Sequence, residues 1–181
     1  MKLYIGIELP DEVKDTLFNV LVSLKQLDVK GKWKAPEFLH ITLEFLGELP
    51  DDVLPLLSQV LKTVAGSNKA FKLQLEAMGS FPSWSRAHTL WVGVDGNLKQ
   101  LNSLWSGLHS ELKINGFNLQ SSKFIPHITL LSRPQLPLPD PDKLSLVKSL
   151  RFKVTELILF ESKAVDGRRV YPHIITEKLN G

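Results

Sequence analysis

The tetrapeptide His40-Ile41-Thr42-Leu43 returns as His127-Ile128-Thr129-Leu130, and each copy follows a strand-like segment at the same distance. Leu3-Tyr4-Ile5-Gly6-Ile7-Glu8-Leu9 precedes the first copy and Leu90-Trp91-Val92-Gly93-Val94-Asp95 the second. Ile5 and His40 are 35 residues apart, as are Val92 and His127. A helical pattern lies in each interval. A repeated tetramer alone is weak evidence, since two buried strands of like composition can produce one by accident. The common spacing of strand, helix and motif indicates instead a duplicated unit, and so a fold of two matching halves. Side chains alternate along a strand, so each His shares a face with its Thr while Ile and Leu face the other way.

The remaining pattern fills in these halves. A strand is expected over 2–9 and a helix from Asp11 to about Leu27, with Val13, Leu17, Val20, Leu21 and Leu24 on one side. The turn 31–37 carries Trp33 and Lys34, which read either as a Trp packed over a strand edge or as a stacking platform and phosphate contact. Gly47 should end the first motif strand. Asp51-Asp52 should cap a second helix with Val53, Leu56, Leu57, Val60, Leu61 and Val64 inward, stopping at Gly66. A strand over 71–77 and a loop over 79–87, carrying Arg86, complete the first half. The second half opens with a strand at 88–95 and a helix at 97–114 lined by Leu98, Leu101, Leu104, Trp105, Leu108 and Leu112. His109 on that helix reads as a surface residue. Four prolines make 132–142 an extended loop, and 151–160 with 169–176 read as a final strand pair around Asp166-Gly167.

Composition narrows the function classes. The chain is 181 residues long with no cysteine, which removes disulfides, a thiol nucleophile and Cys-ligated metal, and is compatible with the cytoplasm. The first eight residues are too short and too soon acidic for a signal peptide, and no apolar run reaches membrane-spanning length. A net charge of +3 suits an anionic substrate rather than a general nucleic-acid coat. There is no His-Glu-x-x-His zinc motif, no Gly-x-Ser-x-Gly elbow and no phosphate loop for a nucleoside triphosphate. Two imidazoles and two hydroxyls meeting in one cleft would suit acid–base chemistry on a phosphate ester. Hydrolysis needs a base for water, an acid for the leaving oxygen and donors for the non-bridging oxygens. Histidine can fill either proton role near neutral pH.

At these residues the chain resembles the 2H phosphoesterase superfamily, defined by two His-x-Thr-hydrophobic motifs. More narrowly it is similar to the RNA 2′,3′-cyclic phosphodiesterases, also described as 2′-5′ RNA ligases. The resemblance runs from Leu3–Pro10 through Trp33–Gly47, Leu90–Val94 and Pro126–Leu130 to Glu161, Ser162, Gly167 and Tyr171. It implies one α+β domain over 1–181, built as two pseudo-symmetric lobes whose antiparallel sheets face a central cleft, with helices outside. It also implies catalysis without metal or cofactor on RNA ends, by a monomer. His40 would be the proton donor to the ribose 3′ oxygen and His127 the proton acceptor from water. Thr42 and Thr129 would hold the phosphate, with Arg133 and Trp33 as further substrate contacts. The family commonly places Arg five residues after the second motif His, where this chain has Ser132. Arg133 then reaches phosphate only if the strand has already ended. Glu161 and Ser162 read as structural. Ligation, cleavage of 2′-5′ linkages and a non-catalytic RNA-end binding module are the alternatives.

Overall fold

The computed structural model describes residues 1–120, 123–144 and 147–181. In chain order the elements are β1 (Lys2–Glu8), α1 (Asp11–Gln26), β2 (Lys32–Trp33), β3 (His40–Glu48), α2 (Leu54–Gly66) and β4 (Phe71–Phe81). The second half continues with β5 (Thr89–Gly96), α3 (Leu98–Ile114), β6 (His127–Ser132), β7 (Arg151–Val154) and β8 (Glu156–Glu161), then β9 (Lys163–Val165), β10 (Arg168–Val170) and β11 (His173–Lys178). β1, α1 and β3 match β5, α3 and β6, which is the duplication expected from the spacing.

Among the described residues nine strands form one antiparallel sheet in the order β11-β8-β1-β3-β6-β5-β4-β7, with β2 added to β6. The two expected sheets are halves of this strip, joined where Ile41 pairs with Ile128. Each repeat lends a strand to the other. β4 belongs to the first half of the sequence and pairs with β5, whereas β8 belongs to the second and pairs with β1.

The helical stripes go where their periodicity sends them. Val13, Leu17, Val20, Leu21 and Leu24 of α1, Leu57, Val60, Leu61 and Val64 of α2, and Leu101, Leu104, Leu108 and Leu112 of α3 are all buried. They share one apolar core with Ile5, Ile7, Ile41, Val92, Ile128 and Leu130 from the sheet. Each fully buried Leu or Ile contributes about 1.5–3 kcal/mol, so this face holds the sheet in place and leaves the other free for chemistry.

Three boundaries differ from expectation. β4 continues past Gly79 to Phe81, held by its pairing with Trp91, Leu90 and Thr89 of β5, and the Trp91 ring fills the space where a side chain on Gly79 would stand. β3 runs through Gly47 to Glu48, with Gly47 at φ +76° as a kink inside the ladder rather than its end. The apparent strand 151–160 is two strands, β7 at one end of the sheet order and β8 next to last at the other, with Thr155 alone between them. The strip must therefore curl until its ends nearly meet. The Asn180 carbonyl accepting from the Ala70 amide and the Asn68 carbonyl accepting from the Asn180 amide fasten that closure.

Candidate active site

Both motif strands begin at their histidine. A short 3-10 turn over Pro36–Phe38 precedes His40, and Pro126, which has no amide hydrogen for a ladder, precedes His127. The carbonyl two residues upstream is thus left out of the sheet in each half. His40 Nδ1 donates to the Phe38 carbonyl at 2.8 Å, and His127 Nδ1 donates to the Ile125 carbonyl at 2.7 Å. A carbonyl can only accept, so both rings carry their proton on Nδ1 and present Nε2 to the open face. The Thr42 hydroxyl stands 3.0 Å from His40 Nε2 and donates to it.

The two motifs lie side by side. Counting outward from the Ile41–Ile128 pair, His40 faces Thr129 and Thr42 faces His127, and all four project from one side of the sheet. Gly6 pairs with Thr42 and Gly93 with His127, so the neighbouring strands add no side chain directly opposite these two residues, whereas Glu8 pairs with His40 and Trp91 with Thr129.

Aromatic rings wall each imidazole. Tyr4 stacks on His40 with centroids 4.8 Å apart, Phe160 lies 5.7 Å away and Tyr171 6.0 Å away. Phe81 meets His127 edge-on at 4.9 Å, and Trp91 stands at 5.9 Å. Tyr4 and Trp91 occupy equivalent positions in the two repeats, as do His40 and His127. The Tyr4 hydroxyl and the Trp91 indole N–H are buried without a partner among the described residues, so neither competes for the imidazoles.

This setting favours neutral rings. Burial, followed by the nearby charges of Lys34 and His127, pushes His40 down to about 4 against the pull of the Phe38 carbonyl and Glu8. Burial likewise pushes His127 down against its bond to Ile125. Burial, with Tyr171 and Glu8 adding to it, pushes the Tyr4 phenol far up, so it stays protonated. Among the described residues no three His, Cys, Asp or Glu side chains gather into a metal-binding group, and no helix is long and apolar enough to cross a membrane.

Residues 7–91 match the family described as LigT like Phosphoesterase. An RNA 2′,3′-cyclic phosphodiesterase of Archaeoglobus fulgidus is 30% identical over 131 residues, covering 72% of this chain and 71% of the relative. The chain belongs to the LigT-like phosphoesterase family. The RNA 2′,3′-cyclic phosphodiesterase of Thermotoga maritima is 27% identical over 97% of this chain and 88% of its own. The crystal structure of E. coli LigT complexed with 3′-AMP superposes with a TM-score of 0.79 at 26% identity, covering 99% of this chain and 98% of that one.

In this LigT-like phosphoesterase the other expected contacts fall differently. The sheet register slips by one residue between Ile5 and Gly6 and between Leu90 and Trp91, in each case passing over the leucine that follows the motif threonine, Leu43 or Leu130. These bulges turn two successive residues inward in each motif strand, Leu43 with Glu44 and Leu130 with Leu131. Ser132 consequently returns to the face of His127 and Thr129. β6 ends there, and Arg133 stands exposed at φ +51°, so the condition set for it is met, although no contact of its guanidinium is seen among the described residues. Trp33 is not drawn into the ring cluster. It packs at the edge of the main core, with Lys25 Nζ 5.2 Å over its ring. Arg86 is exposed in the 3-10 turn Trp84–Arg86.

His109 corrects its reading as a surface residue. Its Nδ1 lies 2.5 Å from Glu44 Oε1, and Glu44 is only 8% exposed. The bulge explains the pair, because strict alternation would have put Glu44 beside His40 and Thr42. The aromatic walls were missed too. The sequence signals for them were the equivalence of Tyr4 and Trp91 within the repeat and the place of Tyr171 in the family resemblance; Phe81 and Phe160 had none.

Proposed function

We propose that this chain hydrolyses the 2′,3′-cyclic phosphate of RNA ends to a 2′-phosphomonoester, with His40 as acid and His127 as base. The observation that carries this reading is the pair of imidazoles, one from each repeat, presenting Nε2 from the same face of adjoining strands. His127 Nε2 takes a proton from water, whose oxygen attacks phosphorus. The bond from phosphorus to the ribose 3′ oxygen breaks, and that oxygen receives the proton of His40 Nε2. The product has a 2′-phosphate and a 3′-hydroxyl, and solvent exchange resets the rings. Thr42 and Thr129 donate to non-bridging oxygens and keep attack in line. His40 is neutral in the empty site, so the substrate's negative charge has to restore its proton before it can serve as an acid.

No step needs a metal or cofactor, because the imidazoles supply both proton transfers. The proposal extends to residues 1–181 acting as one domain and to a monomer in the cytoplasm. Strand exchange closes within one chain, and a chain without cysteine needs no oxidising compartment. The test is hydrolysis of adenosine 2′,3′-cyclic phosphate in EDTA, with the product identified by phosphorus NMR, beside 2′-5′ and 3′-5′ dinucleotides. A 2′-monophosphate is expected. Loss of turnover in EDTA, a 3′-monophosphate, or binding without turnover would each overturn the reading.

A further inference from the structure

The half-buried Lys34 lies just past β2, and its amide donates to the Leu130 carbonyl in the second motif. Its Nζ donates to the Tyr171 hydroxyl at 3.1 Å and lies 5.4 Å from the centre of that ring. Tyr171 is itself part of the wall of His40, with ring centres 6.0 Å apart. Among the described residues Lys34 forms no ion pair. Glu8, the carboxylate on this side, is already held by Lys14 at 3.0 Å and by His173 at 3.4 Å. A partly desolvated ammonium without a counter-ion, set beside the ring that walls the His40 imidazole, is an electrostatic demand for an anion. One of its three hydrogens is committed to Tyr171, and two remain for a ligand.

We infer that Lys34, tethered by Tyr171, is a substrate-binding residue that grips the non-bridging oxygens of the phosphoryl group at His40. This rests on the phosphodiesterase reading above and supplies the cationic contact that Ser132 lacks. An ammonium placed there also opposes the charge that builds on those oxygens as water adds. The Tyr171 hydroxyl accepts from Lys34, so its own hydrogen is free to donate to the same group. Tyr171 also fixes the long side chain, which reduces the entropy lost when the anion binds.

The experiment measures binding apart from turnover. Inorganic phosphate and adenosine 2′-monophosphate are titrated by calorimetry into the parent protein, Lys34→Met, Lys34→Arg and Tyr171→Phe. Thermal unfolding is used to check that each variant is folded. A charge-assisted hydrogen bond is worth enough that Lys34→Met should weaken both ligands about 10- to 100-fold. Lys34→Arg should stay within about threefold of the parent, since charge and donors are kept. Tyr171→Phe should fall between them, and it keeps the inference testable if Lys34→Met does not fold. Unchanged phosphate affinity in Lys34→Met, or equal loss in Lys34→Met and Lys34→Arg, overturns the inference. A parent protein that binds both ligands but leaves cyclic phosphate intact would instead overturn the phosphodiesterase reading and leave the anion site standing.

Discussion

Replacing His40 or His127 with alanine removes one proton transfer and leaves the phosphate donors in place. Each change should lower kcat by about 10²- to 10⁴-fold, with affinity for the 2′-monophosphate little altered. A fall of less than tenfold in either variant would remove that residue from the mechanism. His40 also carries a stability signature. Its folded value is about 4 against 6.5 for a free histidine, so between those limits the unfolded chain binds the extra proton. Folding stability should then drop as pH falls from about 6.5 toward 4, by on the order of 3 kcal/mol, with no contribution from this group above 6.5. Urea unfolding across that range would show it, and His40→Asn should flatten the slope. An equal slope in the variant would mean that other groups cause it. At this scale the sequence was most readable at the histidines and threonines, because identical residues recurred at one spacing. It was least readable for Phe160, which reaches His40 only through the pairing of β8 with β1.

Bulges and close approaches between elements account for the errors of strand and facing. Gly79 looks like a loop residue, yet the Trp91 ring lies flat where a β-carbon would be. Gly79→Ala should push that ring toward His127, cost about 1–3 kcal/mol and lower turnover, whereas Gly66→Ala, in open space, should do neither. Matched thermal melts and assays of the two variants decide the point, and an unaffected Gly79→Ala would contradict the account. Glu44 and His109 pin the first motif strand to the helix of the other repeat. Truncating His109 leaves a buried carboxylate alone and should cost about 3 kcal/mol, part of which returns when Glu44→Gln is added. An additive double-mutant cycle would show that the two side chains are not coupled. Helices were legible because their stripes face one core. Neither the register slips nor a partner 65 residues away in sequence leaves a local periodicity to read.

At the scale of the whole molecule the repeat and the sheet do not share a boundary. Residues 151–160 read as one strand because their composition is continuous, whereas the chain crosses at Thr155 from the β7 edge of the sheet to the strand next to its other edge. No local pattern encodes that crossing, since it is the curl of the strip that brings the edges together. Leu179 is 6% exposed and immediately precedes Asn180, which bonds across the seam to Ala70 and Asn68, so Leu179→Ala should lower stability by about 2 kcal/mol or more. A neutral result in chemical denaturation would mean that the seam adds nothing. The exchange of β4 for β8 has a further consequence for how the chain can be divided. Severed at the junction after residue 87, each piece would own an unfilled berth whose only proper occupant is carried by the other. Mixed, the pieces should knit into one cooperative body. A lone repeat, by the same logic, could satisfy itself only by embracing its own twin.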